Sequence, residues 1–306
     1  MRYSKLIALS VVAALAAPVA ASTPVLGQSA SDSERTGRER SAIAVAGLYA
    51  GLYGYTAMAW YFGKEVSPTF QWRDEGWFGK DTYAGGADKL GHLWGNYALV
   101  RGGTQILRGG GWDPRASLWV STALSAGFFT LSEIQDGYHG YGFAVNDMYA
   151  NGIGILLANI MERSPALDRS VSLRMQYFPS QAFINDAVEN GPFNSPEDYS
   201  GQTILLSYHL AELPGVKTAR SLGWMRALDV SIGYEAIGYL PERDQPRQNL
   251  FLGLSLNMER LVFGSNEPAR SVSRLVQKLY APPLTVLRPW AADPFQGSSR
   301  STQTGQ

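Results

Sequence analysis

The rhythm of hydrophobic and polar positions changes once along this chain. From Ser41 to Glu162 the apolar residues fall in helical blocks, and from Ser170 onward they alternate. Ile43 to Phe62 holds twenty uncharged residues, long enough for a transmembrane helix. The spacing Gly47-x-x-x-Gly51 permits close helix contact in such a setting. A buried core helix of a soluble protein fits the same run. A polar, aromatic connector follows (Phe70, Trp72, Trp77, Phe78, Tyr83) and closes on Gly85-Gly86. The pattern then predicts a helix over Ala87–Leu107, stopped by Gly109-Gly110-Gly111. A third helix starts at Pro114, a good first-turn residue, and runs to Glu133. A fourth covers Ala144–Glu162, with Pro165 just beyond it.

In the second half the period is two. Val171, Leu173, Met175 and Tyr177 alternate with Ser172, Arg174 and Gln176. Ile204, Leu206, Tyr208 and Leu210 mark a second strand, and Leu228, Val230, Ile232 and Tyr234 a third. Leu250, Leu252, Leu254 and Leu256 mark a fourth. Each has one apolar face. Four strands cannot close a single-chain membrane barrel, which needs at least about eight. The expectation is an antiparallel sheet packed on helices or lying against a membrane. A late amphipathic helix is expected near Ala269–Tyr280, then a free polar tail.

The N-terminus adds an address. Arg2 and Lys5 precede an uncharged run from Leu6 to Ala17, and Val19-Ala20-Ala21 supplies small residues before Ser22. That order is a secretory signal peptide. Its loss removes two basic and no acidic side chains, leaving 24 against 26, a formal charge of −2. The polar stretch after it, to Arg40, reads as a disordered leader. The domain reading is therefore a signal peptide over 1–21, a leader over 22–40 and a helical unit over 41–165. A β region over 166–265 and a helix with a disordered tail over 266–306 complete it.

Composition narrows the function classes. Lys+Arg and Asp+Glu are both 26, so no basic field recruits nucleic acid. A mean hydropathy of −0.13 excludes a chain made mostly of membrane helices. Zero cysteine excludes disulfides, thiolate zinc, a cysteine nucleophile and an acylated cysteine. Chemistry is confined to three stretches in the apolar half. Asp88-Lys89-Leu90-Gly91-His92 puts Asp88 and His92 four apart, on one helical face. Ser132-Glu133-Ile134-Gln135-Asp136-Gly137 ends an apolar helix, and Asp147 and Asn151 share a face in the last. Ionisable groups in apolar helices cost several kcal/mol unless they find partners, on the order of the unpaired transfer penalty.

Three readings of that cluster stay open. The groups could pin helices in register by hydrogen bonding to one another. They could be catalytic, with His92 as general base or nucleophile, Asp88 orienting it and Glu133 or Asp147 completing the site. They could hold a ligand or a hard cation, with Lys89, Asp136 and Asn151 among the ligand-binding groups. No metal site is assigned, because the usual zinc spacing His-Glu-x-x-His is absent, and the cofactor is unknown. His139 reads as a turn residue and His209 as an exposed or satisfied sheet residue.

These motifs in this order (Asp88-Lys89-Leu90-Gly91-His92, Glu133-Ile134-Gln135-Asp136-Gly137, Phe143-Ala144-Val145-Asn146-Asp147 with Asn151-Gly152) resemble the YfiM-like predicted periplasmic proteins, a family of unknown function. Asp198–Gln202 and Asn249–Asn257 extend the likeness, and the order is distantly similar to VanZ-like envelope proteins. The chain departs in having no cysteine to acylate and no arginine in Gly140–Val145. The resemblance implies an envelope location and a polar site between paired helices.

The fold expected is α+β: a four-helix apolar bundle, a small antiparallel β region and a C-terminal amphipathic helix. The function expected is that of an exported envelope protein, periplasmic or membrane-associated, with a polar interhelical site for an envelope or lipid-linked ligand. A non-enzymatic envelope scaffold and a hydrolase of lipid phosphate or acyl bonds are the alternatives. The partners expected are membrane lipid or an envelope component, and no nucleic acid.

Overall fold

The structure is a computed structural model that describes residues 32–190, 195–239, 245–257, 275–276, 278–281 and 286–292. The expected signal peptide, residues 22–31 of the leader and the tail from 293 lie outside them. The chain is α+β, with helices and an antiparallel sheet. It divides into two compact units, Met1–Asp74 with Gly95–Arg163 and Glu75–Trp94 with Ser164–Gln306.

In the helical unit, α1 covers Asp32–Thr56 and widens into a π segment over Ala57–Tyr61. Helix α2 spans Ala87–Gly109, α3 Pro114–Tyr138 and α4 Val145–Arg163, and α2 belongs to this unit from Gly95 onward. Val45 and Tyr49 of α1 pack with Leu107 of α2 and with Val120, Leu124 and Phe128 of α3. These are the periodic apolar positions, buried together because that removes most hydrocarbon from water. Glycine sets the approach of α2 to α3: a Cβ at Gly103 would stand 2.8 Å from the Ser121 hydroxyl. Asp113 caps α3 by accepting N–H bonds from Arg115 and Ala116 at 2.9 and 3.0 Å, with Pro114 in the first turn. A two-residue parallel pair joins β1 (Trp72–Arg73) to β2 (Phe143–Ala144).

Two boundaries differ from expectation. Residues 32–40 of the expected leader form the first turns of α1. Arg38 Nε donates to the Gly111 carbonyl at 2.9 Å and Trp112 Nε1 to the Arg38 carbonyl at 3.1 Å, so the Gly109–Gly111 turn anchors them. Helix α3 outruns Glu133 to Tyr138 because its last turn is tied to α1. Gln135 Nε2 donates to Tyr53 Oη, and Tyr61 Oη donates to Asp136 Oδ1, each at 2.9 Å.

One helix, expected wholly in the helical part, starts in the sheet unit. Glu75–Trp94, the end of the aromatic connector and the first turns of α2, pack there. Gln248 Nε2 donates to the Gly85 carbonyl at 2.7 Å, and Trp94 Nε1 to the Leu279 carbonyl at 2.8 Å. Gly85 has φ +61°, and a Cβ there would stand 2.6 Å from the Tyr239 ring. The short α5 (Pro165–Ser170) leads into β3 (Val171–Tyr177), and α6 covers Gln181–Asn190. Strand β4 is Gln202–His209, the five-residue α7 is Pro214–Thr218, β5 is Leu228–Ile237 and β6 is Arg247–Leu256. An unexpected fifth strand, β7 (Val286–Ala292), pairs with β6. The sheet is an antiparallel meander in the order β3-β4-β5-β6-β7. Of the expected Ala269–Tyr280 helix, residues 269–274 and 277 lie outside the described residues, and helical backbone is present at 275–276 and 278–279.

Around Asp229 the sheet turns polar side chains inward, while Leu205 and Phe251 on the same face form an apolar cluster with Ala281. Leu206, Ile232 and Leu252 form one cross-strand row, and all three are exposed. On the opposite face Arg174 and Asp229 are both 0% exposed, with Ser207, Ser231, Ser255 and His209 buried beside them. Arg174 Nη1 pairs with Asp229 Oδ2 at 3.1 Å. Its Nε and Nη2 donate to the Ser207 and Ser255 hydroxyls at 3.1 and 3.3 Å. Asp229 Oδ1 lies 2.7 Å from His209 Nδ1 and accepts from Asn257 Nδ2 at 3.1 Å. His209 is thus a satisfied, buried sheet residue. The buried charge persists because Arg174 and Asp229 oppose one another and accept or donate the hydrogen bonds named above.

Burial pushes the Asp229 carboxyl up. The hydrogen bond and charge of His209, the charge of Arg174 and the Asn257 bond outweigh it and hold the group below its ordinary 3.8. Burial also pulls the Arg174 guanidinium down, against the charge of Asp229. A carboxyl depressed on folding contributes stability above its unfolded value and loses it as pH falls through the folded one. Asp229→Asn, leaving Arg174 without its counter-charge, is expected to lower unfolding free energy at pH 7 by about 3–5 kcal/mol. Denaturant titrations at stepped pH should show the gap from wild type constant above about pH 5 and closing below about pH 4.

Candidate functional site

The polar residues singled out on α2, α3 and α4 are buried, as their apolar neighbours require. Asp88, Lys89, Glu133, Asp147 and Asn151 are all buried, and His92 is half-buried. Asp88, Lys89 and His92 belong to the sheet unit, and Glu133, Asp147 and Asn151 to the helical unit.

In the helical unit, Glu133 sits near the end of α3 and Asp147 in the first turn of α4, 2% and 5% exposed. Their carboxylate oxygens lie within 4.8 Å of one another. Glu133 Oε2 accepts the Ala144 N–H at 3.3 Å, which ties it to the residue preceding α4. One turn along α4, Asn151 Oδ1 accepts from Asn96 Nδ2 at 2.7 Å, and Asn96 Oδ1 accepts from the Ser125 hydroxyl at 2.8 Å. Three helices therefore meet through one chain of amides and hydroxyl. Further along, Glu162 accepts from Arg101 Nε at 3.1 Å and from Arg108 Nη1 at 2.5 Å. Two buried carboxylates at this range repel unless a donor or a cation stands against them. That gives the pair a preference for cationic or hydrogen-donating groups.

In the sheet unit, Lys89 Nζ stands between Asp88 Oδ2 at 2.6 Å and Glu75 Oε2 at 2.7 Å. The ammonium is 2% exposed, so it serves as an internal counter-ion to two carboxylates that lie within 4.8 Å of each other. His92 follows Asp88 by four residues and precedes Asn96 by four, so the three fall on one stripe of α2.

Asp136 accepts from Tyr61 Oη at 2.9 Å, at the α1–α3 contact. His139 caps α3, its Nδ1 2.8 Å from the Gln135 carbonyl, in keeping with a turn role. Glu75, Asn96, Ser125 and the Arg101–Glu162–Arg108 group were missed by sequence reasoning. Asn96 carried a signal, since it continues the Asp88–His92 spacing by one turn. Glu75 sits in an irregular connector and carried none. Arg174 and Asp229 look like ordinary solvent-facing positions of alternating strands.

Residues 74–163 match the model of a family described as predicted periplasmic lipoprotein (DUF2279), of unknown function. The matched stretch runs from the connector through α4 and includes every predicted site residue. No curated protein and no solved structure matches the chain. The family description and the order of residues over Arg2–Ala21 give the same location. The chain is exported and resides in the periplasm or at an envelope membrane. The lipid of a lipoprotein has no cysteine to occupy here.

Lys89→Met removes the counter-ion between Glu75 and Asp88. It is expected to cost about 3–5 kcal/mol in chemical denaturation, as removal of one member of a buried ion pair does. Adding Glu75→Gln should restore most of that loss, because the remaining carboxylate then faces a neutral donor.

Proposed function

We propose that this chain is an exported envelope protein whose helices α1–α4 form a four-helix unit with a polar interhelical site for an envelope or lipid-linked ligand. The observation that carries it is the facing pair of buried carboxylates, Glu133 and Asp147, held on separate helices within 4.8 Å. A ligand bearing an ammonium or several hydroxyl donors complements that pair, and Asn151 supplies amide hydrogen bonds beside it. Asp88 and His92 enter the proposal through helical spacing, as groups that exchange protons with the ligand. Lys89 and Asp136 are assigned to ligand binding with them. The likeness of the ordered motifs to YfiM-like and VanZ-like proteins supports an envelope ligand.

A second reading, an envelope scaffold, is favoured by the Ser125–Asn96–Asn151 chain, whose members satisfy one another as a packing device would. Isosteric changes separate the two. Under the site reading, Glu133→Gln and Asp147→Asn fold with melting temperatures within about 5 °C of wild type, the span of a change near 1 kcal/mol. They fail to restore envelope integrity, scored as detergent sensitivity, in a strain lacking the protein. Full complementation by both variants and by His92→Ala would overturn the site. Loss of abundance in step with loss of complementation would support the scaffold.

A further inference from the structure

The inverted sheet leaves an apolar surface that the interhelical site does not use. Across β3–β6 the face carrying Leu206, Ile232 and Leu252 has no charged residue, and Gln202 and Gln248 are its polar members. Gly85 covers the Tyr234–Gln248 end through hydrogen bonds from both side chains. The other end is open: Val230, Ile232, Leu252 and Leu256 are exposed, Ile232 by 53%. Tyr208, paired with Val230, is 36% exposed there. Water-soluble sheets place such residues inward and polar ones outward, so this arrangement runs against the usual polarity of a solvated sheet. It matches the polarity of strands that face lipid.

The chain around the open end identifies the occupant. Residues 210–227 connect β4 to β5 at that end and carry Lys217, Arg220 and Arg226 against the single acid Glu212. Glu212 pairs with Lys217 at 2.7 Å, while Arg226 also donates to the Val216 and Lys217 carbonyls and the net charge stays positive. Trp224 in the same connection is 66% exposed. A protein partner would be met by a polar rim around an apolar centre. Here an uncharged apolar patch adjoins a basic segment bearing an exposed indole. That is the sequence of environments from acyl chain through the interface to an anionic headgroup.

We propose that the open end of this sheet face seats on an anionic bilayer. Leu206, Val230, Ile232, Leu252 and Leu256 contact acyl chains, Tyr208 and Trp224 lie at the interface, and the basic β4–β5 connection lies over the headgroups. Through this contact the sheet lies on the membrane surface. The inference is independent of the Glu133–Asp147 site.

The absence of cysteine makes the test direct. The full mature chain carrying Ile232→Cys is labelled with an environment-sensitive fluorophore and mixed with phosphatidylcholine vesicles containing phosphatidylglycerol. The label should shift to the blue and be quenched when the acyl chains are brominated. The same label on Thr218→Cys, in the basic connection, should be quenched far less. In the unlabelled chain, Leu206→Thr, Ile232→Thr and Leu252→Thr together should weaken co-flotation by about tenfold or more, given the apolar area withdrawn from lipid. These positions are exposed and threonine suits a strand, so circular dichroism should match wild type. Three results would each overturn the proposal: vesicle binding without quenching at position 232, no binding by wild type, or a blue shift that depends on protein concentration without vesicles. The last would assign the face to a second copy of the chain.

Discussion

A polar group taken out of water must find its partners inside the protein, and both units of this chain are arranged around that constraint. In the sheet unit it is met by an ion pair and the hydrogen bonds around it. Arg174 and Asp229 neutralise one another, and Ser207, Ser255, His209 and Asn257 take the remaining bonds. In the helical unit Asn96, Ser125 and Asn151 satisfy one another across three helices, and Glu162 collects two arginines. The Glu133–Asp147 pair differs in kind. Two buried carboxylates on separate helices bring oxygens within 4.8 Å of one another and concentrate negative charge there. That concentration of buried negative charge is the physical basis for the proposed preference for a cationic or hydrogen-donating ligand.

Much of the secondary structure was legible because its signals are local. The apolar periods and the Pro114 start gave α2, α3 and α4 to within about five residues. Alternation gave β3 through β6, with β3 matching from Val171 to Tyr177. What alternation cannot give is the sign of the faces. A strand of period two is equally well read with its leucines in or out, and here the serines, Arg174 and Asp229 are the inward set. The start of α1 was hidden for a related reason. Residues 32–40 are polar, and what holds them helical is a tertiary bond from Arg38 to the Gly111 carbonyl.

The candidate site was legible as far as its residues share a helix. Asp88 with His92 and Asp147 with Asn151 follow from four-residue spacing. Glu133 was recognisable as a charge out of place in an apolar helix. Their division between two units was not legible, since it depends on the connector from Glu75 packing with the sheet through Gly85 and Tyr239. Glu75 itself, which shares Lys89 with Asp88, has no sequence pattern that marks it.

On β5 the buried Asp229 and Ser231 point inward and the exposed Val230 and Ile232 outward, and that strand offers the most direct test of this arrangement. Single cysteines placed in turn at positions 229 to 233 of the otherwise cysteine-free chain can be scored for their rate of reaction with a water-soluble thiol reagent. The account predicts fast reaction at 230 and 232 and slow reaction at 229, 231 and 233. Fast labelling at 229, 231 and 233 with protection at 230 and 232 would contradict it.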